Sequence, residues 1–299
     1  MPLQQHITLD DGRQVKLGRI RPKYLIHMPE YTVMVTHDNR LKVFLQLGNY
    51  YDKVQDRDPP PAQVDYFTKA LPAIKLVYLN DQEGDCCIAM VEHTVGVFTG
   101  NEAGTPATAT DAETNATYHG ICGPGDNGCV PTDVLDKWKT GITVGGQTHK
   151  IDAYVAIDWT NKPLVQVALD LFGNIQLGVN LPNGWTNTNS IWGPSSGNVG
   201  GHCIPAGCYG DGLTDANGKP FGQEGVAIST WGGICLIPYA QFCTKDFIEE
   251  AYVCLSPDWY SNGNLAPNGI DVQSLKDDLT ALGNGIVPPL GPGVPPWWF

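Results

Sequence analysis

The 299-residue chain is short of charge. Only 16% of its residues are Asp, Glu, Lys or Arg, and 18 basic side chains against 31 acidic ones give a formal net charge of -13. An acidic excess of that size is repelled by phosphate backbones and anionic lipid, which argues against nucleic acid and membrane surfaces as partners. No apolar run approaches a membrane span, and the opening MPLQQHITLDDGRQVKLGRIRPK has no apolar stretch of the secretory type, so a cytoplasmic or virion-associated location is expected. The chain also lacks a phosphate-binding G-x-x-x-x-G-K-[ST] loop, a dinucleotide fingerprint and an EF-hand pattern. Its cysteines never fall in a C-x-x-C knuckle, so neither a cofactor nor a structural metal is expected.

What is present is a globular composition. Hydrophobic residues make up 42%, enough for a sizeable core, while 35 glycines and 23 prolines predict turns and long loops rather than a helical bundle. The nine cysteines are an odd number, so a monomer keeps at least one free thiol. Cys122 and Cys129 flank a tight GPGDNG loop that can accept a bridge.

Three regions are expected. Residues 1–57 form an N-terminal extension with a hairpin or two strands (YTVMVTH, LKVFLQL), residues 58–262 the main domain, and residues 263–299 a segment ending in the Pro/Gly-rich tail GNGIVPPLGPGVPPWWF. That tail reads as a flexible end or as a strap that docks its aromatics, on this chain or on a protein partner. Within the main domain IKLVYLN reads as a short extended run, and CCIAMVEHTVGVFTG as a buried helix beginning at Cys86 and Cys87. PTDVLDKWKTG reads as a helix capped by Thr132, and KPLVQVALDLFG as another. NGWTNTNSIWGPSSGNVGG looks like a long exposed loop leading to His202, followed by strands in HCIPAGCY, EGVAISTW and EAYVCLS. Helices first and sheet second imply an α+β architecture.

A cysteine in the first turn of a helix is an activated position, because free N–H groups and the helix dipole favour thiolate over thiol. Taken alone, Cys86 and Cys87 read equally as buried cysteines behaving like small hydrophobes. A base must come from elsewhere in the chain. His93 lies on the same helix roughly 10 Å along it at 1.5 Å per residue, too far to serve, and reads as a core histidine. His6, His27, His37, His119 and His149 have no evident acid or thiol partner and read as structural or solvated.

The run PPPAQVDYFTKALPAIKLVYLNDQEGDCCIAM resembles the opening of mature papain-like cysteine peptidases, where a proline-led V-D-W segment precedes an N-Q-G turn and the nucleophile at a helix start. It is also similar to a group of bacterial and phage-borne papain-like proteins in which the turn reads N-D-x-x-G-D-C-T-I-A-A. GHCIPAGCYG resembles the family's H-A-V-x-x-V-G-Y strand, STWGG its N-S-W-G turn, and DNGCVPTDVLDKWKTGI its cleft-lining G-C-x-G-G segment. The resemblance implies a papain-like α+β fold with an N-terminal helical part and a C-terminal antiparallel half-barrel over residues 58–262. It implies Cys86 as nucleophile, His202 as base, and Asn80, or else Gln82, as the side-chain oxyanion donor beside the Cys86 N–H. Where the family has the histidine-orienting Asn, this chain has Ser229, and the insertion DGLTDANGKPFGQEG offers Asp211 and Asp215 as replacements. The expected activity is that of a thiol peptidase or amidase on a peptide or protein substrate, with latency supplied by the N-terminal residues or the aromatic tail. The alternative is a papain-like scaffold with a degraded site, used as a binding or structural component of a virion or cell surface.

Overall fold

A computed structural model describes residues 5–21, 24–27, 31–35, 41–45 and 59–260. The chain opens with the antiparallel hairpin β1 (Gln5–Thr8) and β2 (Gln14–Leu17). A three-stranded antiparallel meander follows, β3 (Tyr24–His27), β4 (Tyr31–Val35) and β5 (Leu41–Leu45), which includes the expected hairpin. After the short strand β6 (Val64–Asp65) comes the one-turn helix α1 (Leu71–Ile74). The extended run expected at IKLVYLN is therefore absent: Ile74 ends α1, and Tyr78 and Leu79 take left-handed backbone angles in the turn beyond it.

Helix α2 (Cys86–Glu102) is the axis of the domain. Fourteen of its seventeen residues are buried, which is what a helix apolar on nearly every face must achieve. Next comes α3 (Asp111–Cys122), which the sequence reading did not separate; it starts with a capping box in which Thr110 and Glu113 satisfy each other's backbone N–H. A disulfide joins Cys122 to Cys129 across the GPGDNG loop. Helix α4 (Pro131–Thr140) follows, with Pro131 at its start and Val130 in the cap position, so Thr132 lies inside the helix instead of capping it.

The small hairpin β7 (Ile142–Val144) and β8 (Gln147–His149) leads to β9 (Ala153–Ala156) and then to α5 (Lys162–Phe172). The last is capped by the Asn161 side chain and closed by Gly173 in the left-handed conformation. The sheet is completed by β10 (Ile175–Leu181), β11 (Gly200–Gly210), β12 (Gly225–Thr230), β13 (Gly233–Pro238) and, after the short helix α6 (Tyr239–Phe242), β14 (Ile248–Leu255). Its order is β13-β12-β11-β10-β14-β9, with β6 on β11 and every pairing antiparallel. Helix α2 lies against β11, so the helical side and the sheet side meet along the line that carries Cys86 and His202.

Two expectations change in detail. The Gly/Ser/Asn-rich loop before His202 is not exposed throughout: Trp185 and Trp192 are buried in it and stack at 5.0 Å, with their indole N–H groups donating to Gly193 O and Asn187 O. The N-terminal extension is also not a detached appendage, since Ile7, Leu9, Val15 and Leu17 belong to the same hydrophobic core as α2 and the sheet. The Pro/Gly-rich aromatic tail lies outside the described residues.

Candidate active site

Cys86 is the first residue of α2, and the turn before it is tightly held. Asn80 is buried; its Oδ1 accepts from the Trp231 indole at 2.8 Å, and its amide N–H groups donate to Lys16 O, Glu83 O and Asp85 Oδ1. Gln82, the alternative donor, is exposed, whereas Asn80 is buried. Both of the Asn80 amide hydrogens are engaged by these acceptors.

His202 comes from β11, opposite Val179 of β10, and is fully buried. Its Nε2 lies 2.8 Å from Thr230 Oγ1, and its ring stacks on Trp231 at 4.6 Å with an interplanar angle of 19°. The hydroxyl that meets the imidazole is thus Thr230's and not Ser229's. Side chains alternate across a strand, so only one of these neighbours can face β11's histidine, and the Ser229 hydroxyl is buried without a hydrogen-bond partner. Neither aspartate of the insertion takes the position: Asp211 is exposed, and Asp215 accepts from the backbone of Asn217 and Lys219. Trp231 and Gly232 form the two-residue turn between β12 and β13, both at positive φ (49° and 78°), the geometry that joins twisted antiparallel strands most tightly. For a tryptophan that conformation is strained, and the Asn80 bond and the imidazole stack hold it in place.

Cys86 and His202 are brought together. Burial pushes the Cys86 thiol up, but hydrogen bonding from Cys203, Cys87 and His202, and the charge of His202, outweigh it and hold the thiol well below its usual value. The other ring nitrogen, His202 Nδ1, is buried and meets no oxygen or nitrogen partner among the described residues. Cys87 and Cys203, the chain neighbours of these two residues, both have their thiols pushed up by burial.

Residues 16–20 of the N-terminal extension run across the elements that carry Asn80, Cys86 and His202. Lys16 N–H donates to Asn80 O, Cys129 N–H to Gly18 O, Ile20 N–H to Cys129 O, and Arg19 N–H to Gly201 O. The segment therefore bridges the turn before Cys86, the loop beside α4 and the residue before His202. Gly18 is obligatory here, because a Cβ on it would lie 1.6 Å from Gly84 O. Arg19 then drops its guanidinium into a closed acidic pocket. Nε donates to Glu250 Oε1 at 2.8 Å, Nη2 pairs with the same oxygen, and Nη1 donates to Glu249 Oε2 at 2.7 Å. Burial opposes the Arg19 charge, but Glu250 and then Glu249 outweigh it and reinforce the protonated state. A Cβ at Gly178 would fall 2.4 Å from Arg19 Nε, so the absent side chain makes the room.

The remaining histidines sort differently from expectation in two cases. His119 pairs with Glu83 at 3.0 Å and His149 with Asp258 at 2.8 Å, acids brought near by folding and not by sequence. His93 is a core histidine as read, bonded through Nδ1 to Ala73 O.

The fold is similar to that of xylellain, a cysteine protease from Xylella fastidiosa, with a TM-score of 0.50 and 14% identity over 66% of this chain and 86% of that one. It is also similar to digestive procathepsin L 3 of Tenebrio molitor larval midgut, with a TM-score of 0.50 and 12% identity over 68% and 72%. The chain has the papain-like α+β fold. No protein-family model matches the sequence. No curated protein matches it either.

Proposed function

We propose that the chain is a thiol hydrolase that cleaves amide bonds of peptide or protein substrates through Cys86 and His202, and that residues 14–21 hold it closed. The observation that carries this reading is the buried His202 imidazole, fixed by Thr230 and Trp231 beside a helix-start thiol whose charged form is favoured. Cys86 sulfur attacks the carbonyl carbon, the C–N bond breaks, and the leaving amine takes its proton from His202. Water then adds to the thioester as His202 accepts its proton, and the acid leaves with the thiolate restored. The oxyanion is met by the free N–H groups at the start of α2. The Asn80 N–H that now serves Lys16 O joins them once residues 14–21 depart. The acidic pocket that holds Arg19 would then hold a basic side chain of the substrate.

Alkylation of Cys86 by iodoacetamide, mapped by mass spectrometry, tests the pair. The unmodified protein should label faster at neutral pH than His202→Ala; equal rates would overturn the reading. The second reading, a degraded scaffold used for binding, is favoured by the engaged Asn80 amide and by a hydroxyl on His202 in place of a carboxamide. It predicts His202-dependent labelling without turnover of any amide in a peptide library.

A further inference from the structure

The residues that follow the nucleophile and the base in the chain are both cysteines, and the fold brings Cys87 Sγ and Cys203 Sγ to 2.7 Å, well inside ordinary non-bonded contact. With Cys86, the three sulfurs all lie within 4.8 Å of one another, buried at the seam between α2 and β11. In amide hydrolysis Cys87 and Cys203 form no bond to the substrate; their hydrogen bonds only support the Cys86 thiolate.

We propose that Cys87 and Cys203 are a resolving pair that draws oxidation off Cys86, ending as a Cys87–Cys203 disulfide with the nucleophile restored. The inference rests on Cys86 being the reactive thiolate of the reading above. The oxidant is hydrogen peroxide. Cys86 thiolate attacks one peroxide oxygen, the O–O bond breaks, and Cys86 becomes a sulfenic acid as hydroxide leaves. Cys203 thiol displaces the sulfenic oxygen as water, forming a Cys86–Cys203 disulfide. Cys87 thiol then attacks the Cys203 sulfur, Cys86 leaves as thiolate, and the released proton neutralises the hydroxide. In sum, two thiols and one peroxide give one disulfide and two waters. Sulfur is oxidised and oxygen reduced.

The three thiols are suited to these roles. Only Cys86 has its charged form favoured, so it meets the oxidant first, while Cys87 and Cys203 stay protonated until a neighbouring sulfur is activated. The closed cleft adds a reason for the device. Hydrogen peroxide needs only a slight parting of residues 14–21, whereas a peptide needs their removal, so the covered nucleophile is shielded from substrate more fully than from oxidant.

The test is to treat the full chain with stoichiometric hydrogen peroxide, quench with iodoacetamide and map cysteine products by mass spectrometry. The expected result is a Cys87–Cys203 cross-linked peptide with Cys86 still alkylated. In Cys203→Ala sulfinic and sulfonic Cys86 should rise about tenfold because no thiol displaces the sulfenic oxygen, and in Cys87→Ser the product should stop at a Cys86–Cys203 disulfide because no thiol releases Cys86. In Cys86→Ser the cross-link should form about tenfold more slowly, since peroxide must reach protonated buried thiols directly. Overoxidation of Cys86 to the same extent with and without Cys203 would overturn the proposal, as would a Cys87→Ser protein that leaves no Cys86–Cys203 disulfide, or a Cys87–Cys203 cross-link that forms equally fast without Cys86. Failure of the peptidase reading shows separately, as alkylation that does not depend on His202.

Discussion

Arg19→Met measures how firmly the N-terminus closes the site. Methionine keeps the length and the apolar stem but removes the guanidinium, leaving Glu250, with a side chain 1% exposed, facing no cation. Breaking one side of such a buried pair costs about 3–5 kcal/mol if the rest stays in place. Here the chain has an escape, because residues 14–21 can leave the cleft and let water reach the carboxylate. Taking the lower figure, a shift of about 3 kcal/mol between closed and open forms multiplies the open fraction about 100-fold. With opening and closing fast relative to alkylation, the iodoacetamide rate at Cys86 should rise by the same factor. Arg21→Met is the control: Arg21 pairs with Glu249 at 2.9 Å, but the two side chains are 37% and 30% exposed. Such a pair is worth about 1 kcal/mol at most, or roughly fivefold in rate. A variant at position 19 that unfolds more easily yet alkylates at the original rate would show that Arg19 staples the fold without gating the thiol.

Gly18→Ala should open the cleft by a different route, since its new methyl collides with the Gly84 carbonyl; faster Cys86 labelling with the sheet's far-ultraviolet spectrum unchanged is the expected outcome. Thr230→Val removes the hydroxyl on His202 Nε2, worth about 1–1.5 kcal/mol for a typical hydrogen bond, so Cys86 labelling at pH 7 should drop about tenfold while Ser229→Ala leaves it unchanged. Equal effects from both would contradict the strand geometry. His93 supplies a pH dependence of stability. Burial lowers its pKa from 6.5 to about 4, so the unfolded chain binds a proton that the folded one refuses; stability is therefore full above pH 6.5 and falls as pH drops towards 4, by about 3 kcal/mol. Urea midpoints at pH 7 and pH 4.5 should differ for the native protein and converge in His93→Gln, and identical loss in both would exclude this histidine as the cause.

The parts of the site legible in the sequence were those tied to a local element. The turn GD and the apolar spacing behind it mark a helix start at Cys86 and Cys87, and a strand-like run opens at His202, but the assignment of Cys86, His202 and Asn80 to one site came from the resemblance to papain-like peptidases. The rest depends on contacts between distant strands. Which of Ser229 and Thr230 faces the imidazole is a matter of strand phase, and the tight turn at Trp231 that sets this phase has no Asn-Gly signature. Latency was expected from the N-terminal residues or the aromatic tail without a segment being named, because a stretch that binds through backbone groups needs no side-chain pattern beyond Gly18 and Arg19. The extended reading of IKLVYLN failed for the opposite reason: its apolar density fits a strand, but docking on α2 bent it into α1 and a left-handed turn.

The pocket around Arg19 has a consequence for how the enclosure can be undone. Glu250 is lodged between Gly178 and Tyr252, whose phenol donates to its second oxygen, and a carboxylate in such a dry place tolerates no vacancy opposite it. Release of the N-terminus is therefore better understood as an exchange than as a departure. Water, a proton, a dissolved cation or the arginine of an incoming peptide has to reach the seat as the old occupant rises from it.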